Sequence, residues 1–354
     1  MLDLNDVQAI RAGDPQNMFG HIAGLPDQCE AAWRAAVQFA LPETFETISQ
    51  VVVAGMGGSA IGGALFASLA GPGGRIPIHV VRDYALPEFV RGPATLVIAS
   101  SYSGNTEETI AAFAQARERG CRLMAISTGG RVAEMASDYG APWFRITYES
   151  YPRAALGYSL VPLIAFGSRL GWLGDHTASV REAAAIMRAW NQELNPESPV
   201  VTNLAKRMAG QIMGRFAIVY GAGLFAEVAR RWKGQINENG KQFAAFEVLP
   251  EANHNALLGS SYPGDMPGRL KIIFLTGSRD HARNAARVKA TQEMMMVQGC
   301  DTDILSARGD SPLAQMLSLI SLGDWISGYL GVLNGVDPSD TDLLLDFKQR
   351  MAGV

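Results

Sequence analysis

The chain has 354 residues, 48% hydrophobic and 18% charged, which suits two domains of ordinary size and excludes a chain disordered as a whole. Its formal net charge of −4 at pH 7, with no run of Lys or Arg, supplies no basic field, so no nucleic-acid partner is expected.

In chain order, residues 1–20 carry Asp3, Asp6 and Asp14 and no apolar segment, unlike a signal peptide. An amphipathic helix is predicted over 27–41. Short β-branched runs at 50–54, 76–81, 95–99, 122–127 and 143–148 then alternate with helix-forming stretches at 60–69, 106–119 and 132–139. That alternation predicts a parallel sheet covered on both faces. The longest apolar stretch, near 154–166, contains Pro162 and falls short of the roughly 18–20 residues of a membrane span, so no membrane association is expected. A polar helical connector over 174–199 leads to a second round. Strand 216–220 runs into a Gly-x-Gly turn, Gly221–Gly223, then come helix 224–237, strand 271–276 and helix 279–297. Setting Ala54-Gly55-Met56-Gly57 against Tyr220-Gly221-Ala222-Gly223 predicts two copies of one α/β fold. The organisation expected is a lead-in (1–45), a first domain (46–173), the connector (174–199) and a second domain (200–354).

Three cysteines, Cys29, Cys121 and Cys300, stand far apart, and His21, His79, His176, His254 and His281 share no ligand spacing. A reducing, cytoplasmic setting without a metal site is expected. Chemistry concentrates in two loops. Gly55-Met56-Gly57-Gly58-Ser59-Ala60 opens a helix after a strand, where backbone N–H groups and the helix dipole face an anion. It also fits a loose dinucleotide fingerprint with Asp83 as the ribose ligand. Ser100, Ser101, Ser103 and Thr106 place four hydroxyls within seven positions, just ahead of Glu107 and Glu108. Such a loop suits a phosphate monoester; its plainer reading is a turn with Thr106 as a helix cap. The second copy has Ser278-Arg279-Asp280-His281 at the matching place, so one ligand site per chain is expected.

Gly55–Ser59 followed by Ser101–Thr106 resembles the sugar isomerase (SIS) domain. Asn237-Glu238-Asn239, the stretch from Leu249 to Asn255, Tyr151-Pro152-Arg153-Ala154-Ala155 and Asp337-Pro338 resemble the bifunctional phosphoglucose/phosphomannose isomerases. The likeness runs from about Val51 to Lys348. It implies an α/β chain of two SIS domains, each a parallel β-sheet flanked by helices in three αβα layers. The implied reaction interconverts glucose 6-phosphate, mannose 6-phosphate and fructose 6-phosphate without metal or other cofactor. By position, Gly57, Gly58, Ser59, Ser101, Ser103 and Thr106 would hold the phosphate and Glu238 would shuttle the proton between C1 and C2. His254 and Lys348 would open the ring, Arg131 would meet the enediolate, and Thr341 would leave room for both C2 epimers. The resemblance also implies a homodimer in which His254 crosses to the partner's site.

Read without the resemblance, Glu238 is a helix-end carboxylate, Lys348 an amphipathic-helix lysine and Thr341 or Asp340 a helix cap. His254, with an ordinary pKa near 6.5, could exchange protons at neutral pH or simply bond loop backbone. A non-catalytic sugar-phosphate sensor, an isomerase of another phosphosugar and a dinucleotide oxidoreductase are the alternatives.

Overall fold

The structure, a computed structural model, describes residues 2–351 and 353. The chain begins with helices α1 (Val7–Ala12), α2 (Met18–Ala23) and α3 (Leu25–Gln38). The first α/β unit runs β1 (Gln50–Ala54), α4 (Gly57–Ala70), β2 (Ile78–Val81), β3 (Thr95–Ser100), α5 (Glu107–Glu118), β4 (Arg122–Ser127), α6 (Gly130–Asp138) and β5 (Trp143–Arg145). Three helices follow: α7 (Leu156–Arg169), α8 (Thr177–Leu194) and α9 (Leu204–Ile212). The second unit is β6 (Phe216–Ala222), α10 (Ala226–Glu238), β7 (Ala244–Leu249), β8 (Leu270–Thr276), α11 (Ala282–Val297) and β9 (Asp301–Ser306). Helices α12 (Pro312–Leu333) and α13 (Asp342–Met351) end the described chain.

Both sheets are parallel, in the orders β2-β1-β3-β4-β5 and β7-β6-β8-β9. The continuous apolar runs that suggested buried strands are buried: every residue of β3 is inaccessible, as expected of a sheet covered on both faces. The expected fold class stands, and the repeat extends to backbone torsions. Gly57 and Gly223, matched in the alignment of the two halves, have φ of +49° and +51°, a left-handed turn that glycine adopts without a Cβ clash. The halves meet where α4 packs on α10 and the Ser68 hydroxyl donates to the carbonyls of Gly223 and Leu224 at 3.3 and 3.2 Å.

Two expectations are corrected. The longest apolar helix is α12, not the stretch near 154–166: α12 has 22 residues, a mean hydropathy of 1.4 over its most apolar window, and 94% of that window inside the protein. It is long and apolar enough to cross a membrane by composition, yet it is a core helix packed on α8, α9 and α10. The connector is not simply polar, because α8 buries Val180, Ala183, Met187, Trp190 and Leu194 against α3 and α12. The N-terminal segment is likewise built in. Buried Lys206 on α9 donates to the carbonyls of Leu4, Pro196 and Ser198 at 2.7–2.8 Å, so three acceptors satisfy an ammonium that burial would otherwise penalise.

Candidate active site

The glycine loop and the hydroxyl loop emerge side by side from the carboxyl ends of β1 and β3, where open α/β sheets bind ligands. Gly58 lies so close to the segment before α7 that an added Cβ would sit 2.7 Å from the Pro152 carbonyl. That contact seats the start of α4 against Pro152-Arg153. Ser59, in the first turn of α4, is buried and accepts the Tyr102 N–H at 3.1 Å.

In the second loop the Ser101 and Thr106 hydroxyls are 2.8 Å apart, and the Ser101 oxygen accepts the Gly104 N–H at 3.1 Å. Ser103 is exposed and accepts the Asn105 N–H at 3.2 Å. Thr106 does stand at the N-cap of α5, but no side chain caps that helix. Its hydroxyl is turned to Ser101 instead, leaving the first-turn N–H groups and the dipole available to an anion. The loop after β4 braces this cradle: the Thr128 N–H donates to Tyr102, and the Val132 N–H to Gly104, each at 2.9 Å.

Beside the glycine loop is a cleft of about 250 Å³ between Gly57–Gly58 and α10, with Arg153 and Glu238 in its wall. Arg153 is 3% exposed. Its Nε donates to Asn239 Oδ1 at 2.7 Å, and its Nη2 to the carbonyls of Pro338 and Ser339 at 2.7 and 3.0 Å. Its Nη1 is 3.8 Å from a Glu238 carboxylate oxygen. Burial draws the Arg153 pKa below the usual guanidinium value and the Glu238 charge opposes it; arginine's high starting value keeps the group cationic.

Three further links run back to α12. Asn239 Nδ2 donates to Ser327 Oγ at 3.0 Å. Arg231 Nη2 donates to the Arg153 carbonyl at 3.0 Å and to both oxygens of buried Asp324 at 3.1 and 2.8 Å. Gln235 adds a bond to Asp324 at 2.9 Å. Burial raises the Asp324 pKa, opposed by Arg231 and Gln235. A guanidinium fixed beside a carboxylate can do paired chemistry: the carboxylate takes a proton from carbon and the cation meets the oxyanion that forms.

Of the residues singled out in the sequence, the structure brings Gly57, Gly58 and Glu238 around one cleft, with Ser59, Ser101, Ser103 and Thr106 in the adjoining loops. Arg131 is not among the residues that line that cleft. It is the second residue of α6, is half exposed, pairs with Glu134 at 2.9 Å and bonds the hydroxyl loop through its backbone N–H, which donates to Asn105 at 3.0 Å. His254 is exposed at the end of a short 3₁₀ turn, Glu251–His254. Lys348 is exposed on α13, which buries none of its residues. Thr341 caps α13 through its carbonyl, which accepts from Leu344 and Leu345 at 2.9 and 3.0 Å, while the Asp340 carboxylate accepts the Asp342 N–H at 2.8 Å. Sequence reasoning passed over Arg153 and Asn239, although both stood in quoted motifs.

The matching place in the second copy is filled. A Cβ on Gly277 would meet Gln315 Oε1 at 2.4 Å and the Phe225 ring at 2.6 Å, and Gln315 is held there by Ser278 Oγ and the Gly309 carbonyl at 2.7 and 2.9 Å.

Residues 201–351 match the family described as the bacterial phospho-glucose isomerase C-terminal SIS domain. Among solved structures, a glucose-6-phosphate isomerase like protein from Thermus thermophilus shares the fold with a TM-score of 0.66 at 20% identity, covering 97% of this chain and 100% of that one. A bifunctional phosphoglucose/phosphomannose isomerase of Aquifex aeolicus is 35% identical over 303 residues, 85% of this chain and 90% of its own. Another, from Caldicellulosiruptor bescii, is 39% identical over 340 residues, 95% of this chain and 99% of its own. With identity at that level along nearly the whole length of both proteins, the chain belongs to the bifunctional phosphoglucose/phosphomannose isomerase family.

Proposed function

We propose that the chain interconverts glucose 6-phosphate, mannose 6-phosphate and fructose 6-phosphate through an enediolate, using its own side chains and neither metal nor other cofactor. The observation that carries this reading is Glu238 lying 3.8 Å from the buried Arg153 guanidinium in a cleft adjoining the hydroxyl cradle. Ser59, Ser101, Ser103 and Thr106, with the N–H groups opening α5, hold the phosphate. Glu238 takes the C2 proton of the open-chain aldose. The C–H electron pair forms the C1–C2 double bond, and the carbonyl oxygen receives the negative charge. Arg153 meets that charge, in place of Arg131, because it is the guanidinium fixed beside Glu238. A proton passes from the C2 hydroxyl to O1, and return of the carbon proton from Glu238 to C1 lets C2 become the carbonyl of the ketose; in reverse, return to either face of C2 gives glucose or mannose, with Thr341 leaving room for both.

His254 and Lys348 open the ring. Both are exposed on the single chain, which suits completion of the site in a homodimer with His254 supplied across the interface. The setting is cytoplasmic, in keeping with three free, buried thiols.

The test is a coupled assay of pure protein with each hexose 6-phosphate, with and without EDTA, on the wild type and Glu238→Gln. Chelator should leave the rate unchanged. The substitution should lower kcat by about 10²–10⁴-fold for both aldoses while sugar-phosphate affinity stays nearly intact. Normal turnover by Glu238→Gln would defeat the reading.

A further inference from the structure

The cleft carries more positive charge than a hexose monophosphate uses. Arg82, Arg230, Arg231 and Lys233 line it together with Arg153. The cradle that takes the 6-phosphate is built of hydroxyls and backbone N–H groups, and Arg153 serves the reacting carbons. Arg82, Arg230 and Lys233 are then left in the cleft wall with no role in that reading.

Their own partners do not balance them. Arg82 and Arg230 share one carboxylate, Glu227, at 3.9 and 2.8 Å, and Lys233 has no ion pair among the described residues. Burial lowers the Arg82 pKa and the charge of Arg230 lowers it further, against Glu227. In the same wall Arg231 is 4% exposed, and its buried Nε has no hydrogen-bond partner among the described residues.

The placement fits a second anion. Arg82 directly follows β2, and β2 and β3 flank β1, so Arg82 and the hydroxyl loop stand on opposite sides of the glycine loop, about 10 Å apart by two strand spacings. A hexose skeleton bridges such a gap. Arg230, Gly234 and Glu238 recur every four residues along one face of α10, and a Cβ at Gly234 would meet nothing within 4 Å, so the wall between the cations and Glu238 is open. Guanidinium pairs bind phosphate through parallel, charge-assisted hydrogen bonds.

We infer that the Arg82–Arg230–Lys233 end of the cleft is a subsite for a second anionic group, so that hexose 1,6-bisphosphates bind in preference to hexose monophosphates and compete with the substrate. The inference rests on the hexose-phosphate reading above. Two non-isomerising probes separate the two claims by calorimetry on the intact protein: glucose 1,6-bisphosphate, locked at its anomeric carbon, and 1,5-anhydroglucitol 6-phosphate, which lacks the anomeric oxygen. The bisphosphate should bind about 10- to 100-fold more tightly. In the double variant Arg82→Gln/Arg230→Gln, checked for folding by its melting profile, that advantage should collapse while monophosphate affinity changes far less.

If neither probe binds, the hexose-phosphate reading itself falls. If the monophosphate binds and the bisphosphate binds no better, only the second subsite falls, and the cations merely steer anions. An advantage that survives in the double variant also overturns this placement. As a control for a structural role, Arg82→Lys/Arg230→Lys should restore part of the bisphosphate advantage, because charge is returned without the planar fork.

Discussion

Arg153 and Arg131 show how much of a residue's character lies outside its sequence neighbourhood. Both lie just after a short turn, Arg131 as the second residue of α6 and Arg153 in the 3₁₀ turn ahead of α7. Arg131 finds its partner three residues on, in Glu134. Arg153 finds Asn239 and Pro338, 86 and 185 positions away. No local pattern announces such partners, whereas the hydroxyl cradle was legible because its members lie within a few positions on one strand-to-helix turn. The difference should appear in kinetics. Arg153→Gln should cost about 10²–10³-fold in kcat, the loss typical of one preorganised oxyanion donor. Arg131→Ala, which keeps the backbone N–H bonded to Asn105, should stay close to wild type in the same isomerisation assay. A large loss at Arg131 with little at Arg153 would restore the assignment made from sequence.

Among the elements, strands β1 and β4 fall where β-branched runs bounded by Gly and Ser placed them. Strands β7 and β9 were not legible: β9 reads Asp301-Thr302-Asp303-Ile304-Leu305-Ser306, and its aspartates pair with buried Lys271 of β8, so it looks polar while belonging to a sheet. Helix α12 was missed for the opposite reason, since a helix buried on every side shows no amphipathic period. Its start is tied to α8 through Glu182, whose carboxylate accepts the N–H groups of Asp310 and Ser311 at 2.6 and 3.2 Å. Burial raises the Glu182 pKa, but bonds from Ser311 and these N–H groups outweigh it and hold the group below its ordinary value. A depressed carboxyl stabilises the fold above its unfolded pKa, near 4.3, and that contribution is lost as pH falls through the folded value. Glu182→Gln should therefore lower stability at pH 7 by a few tenths to about 1 kcal/mol, given the partial exposure. It should also flatten the loss of stability between about pH 5 and pH 3, as read from urea midpoints across that range.

For the whole molecule, the single chain leaves Leu343 and Phe347 on α13 82% and 58% exposed, beside Lys348, and leaves His254 exposed as well. Apolar surface next to these residues suits the interface of the proposed homodimer. If each site combines Glu238 of one protomer with the histidine of its partner, two inactive variants should rescue each other. His254→Ala and Glu238→Gln, denatured, mixed in equal amounts and refolded, should regain about a quarter of wild-type activity, since half the dimers are hybrids and each hybrid holds one intact site. No recovery, with hybrids shown by mass to form, would mean that each chain uses its own histidine. The hold of the Pro338 and Ser339 carbonyls on Arg153 also sets an order of events as the chain is made. The cradle and glycine loop leave the ribosome early, but the guanidinium meant to meet the enediolate lacks two of its three anchoring acceptors until residue 339 has been added. On the mechanism proposed, a nascent chain that has released the first domain but not residue 339 should hold sugar phosphate without turning it over.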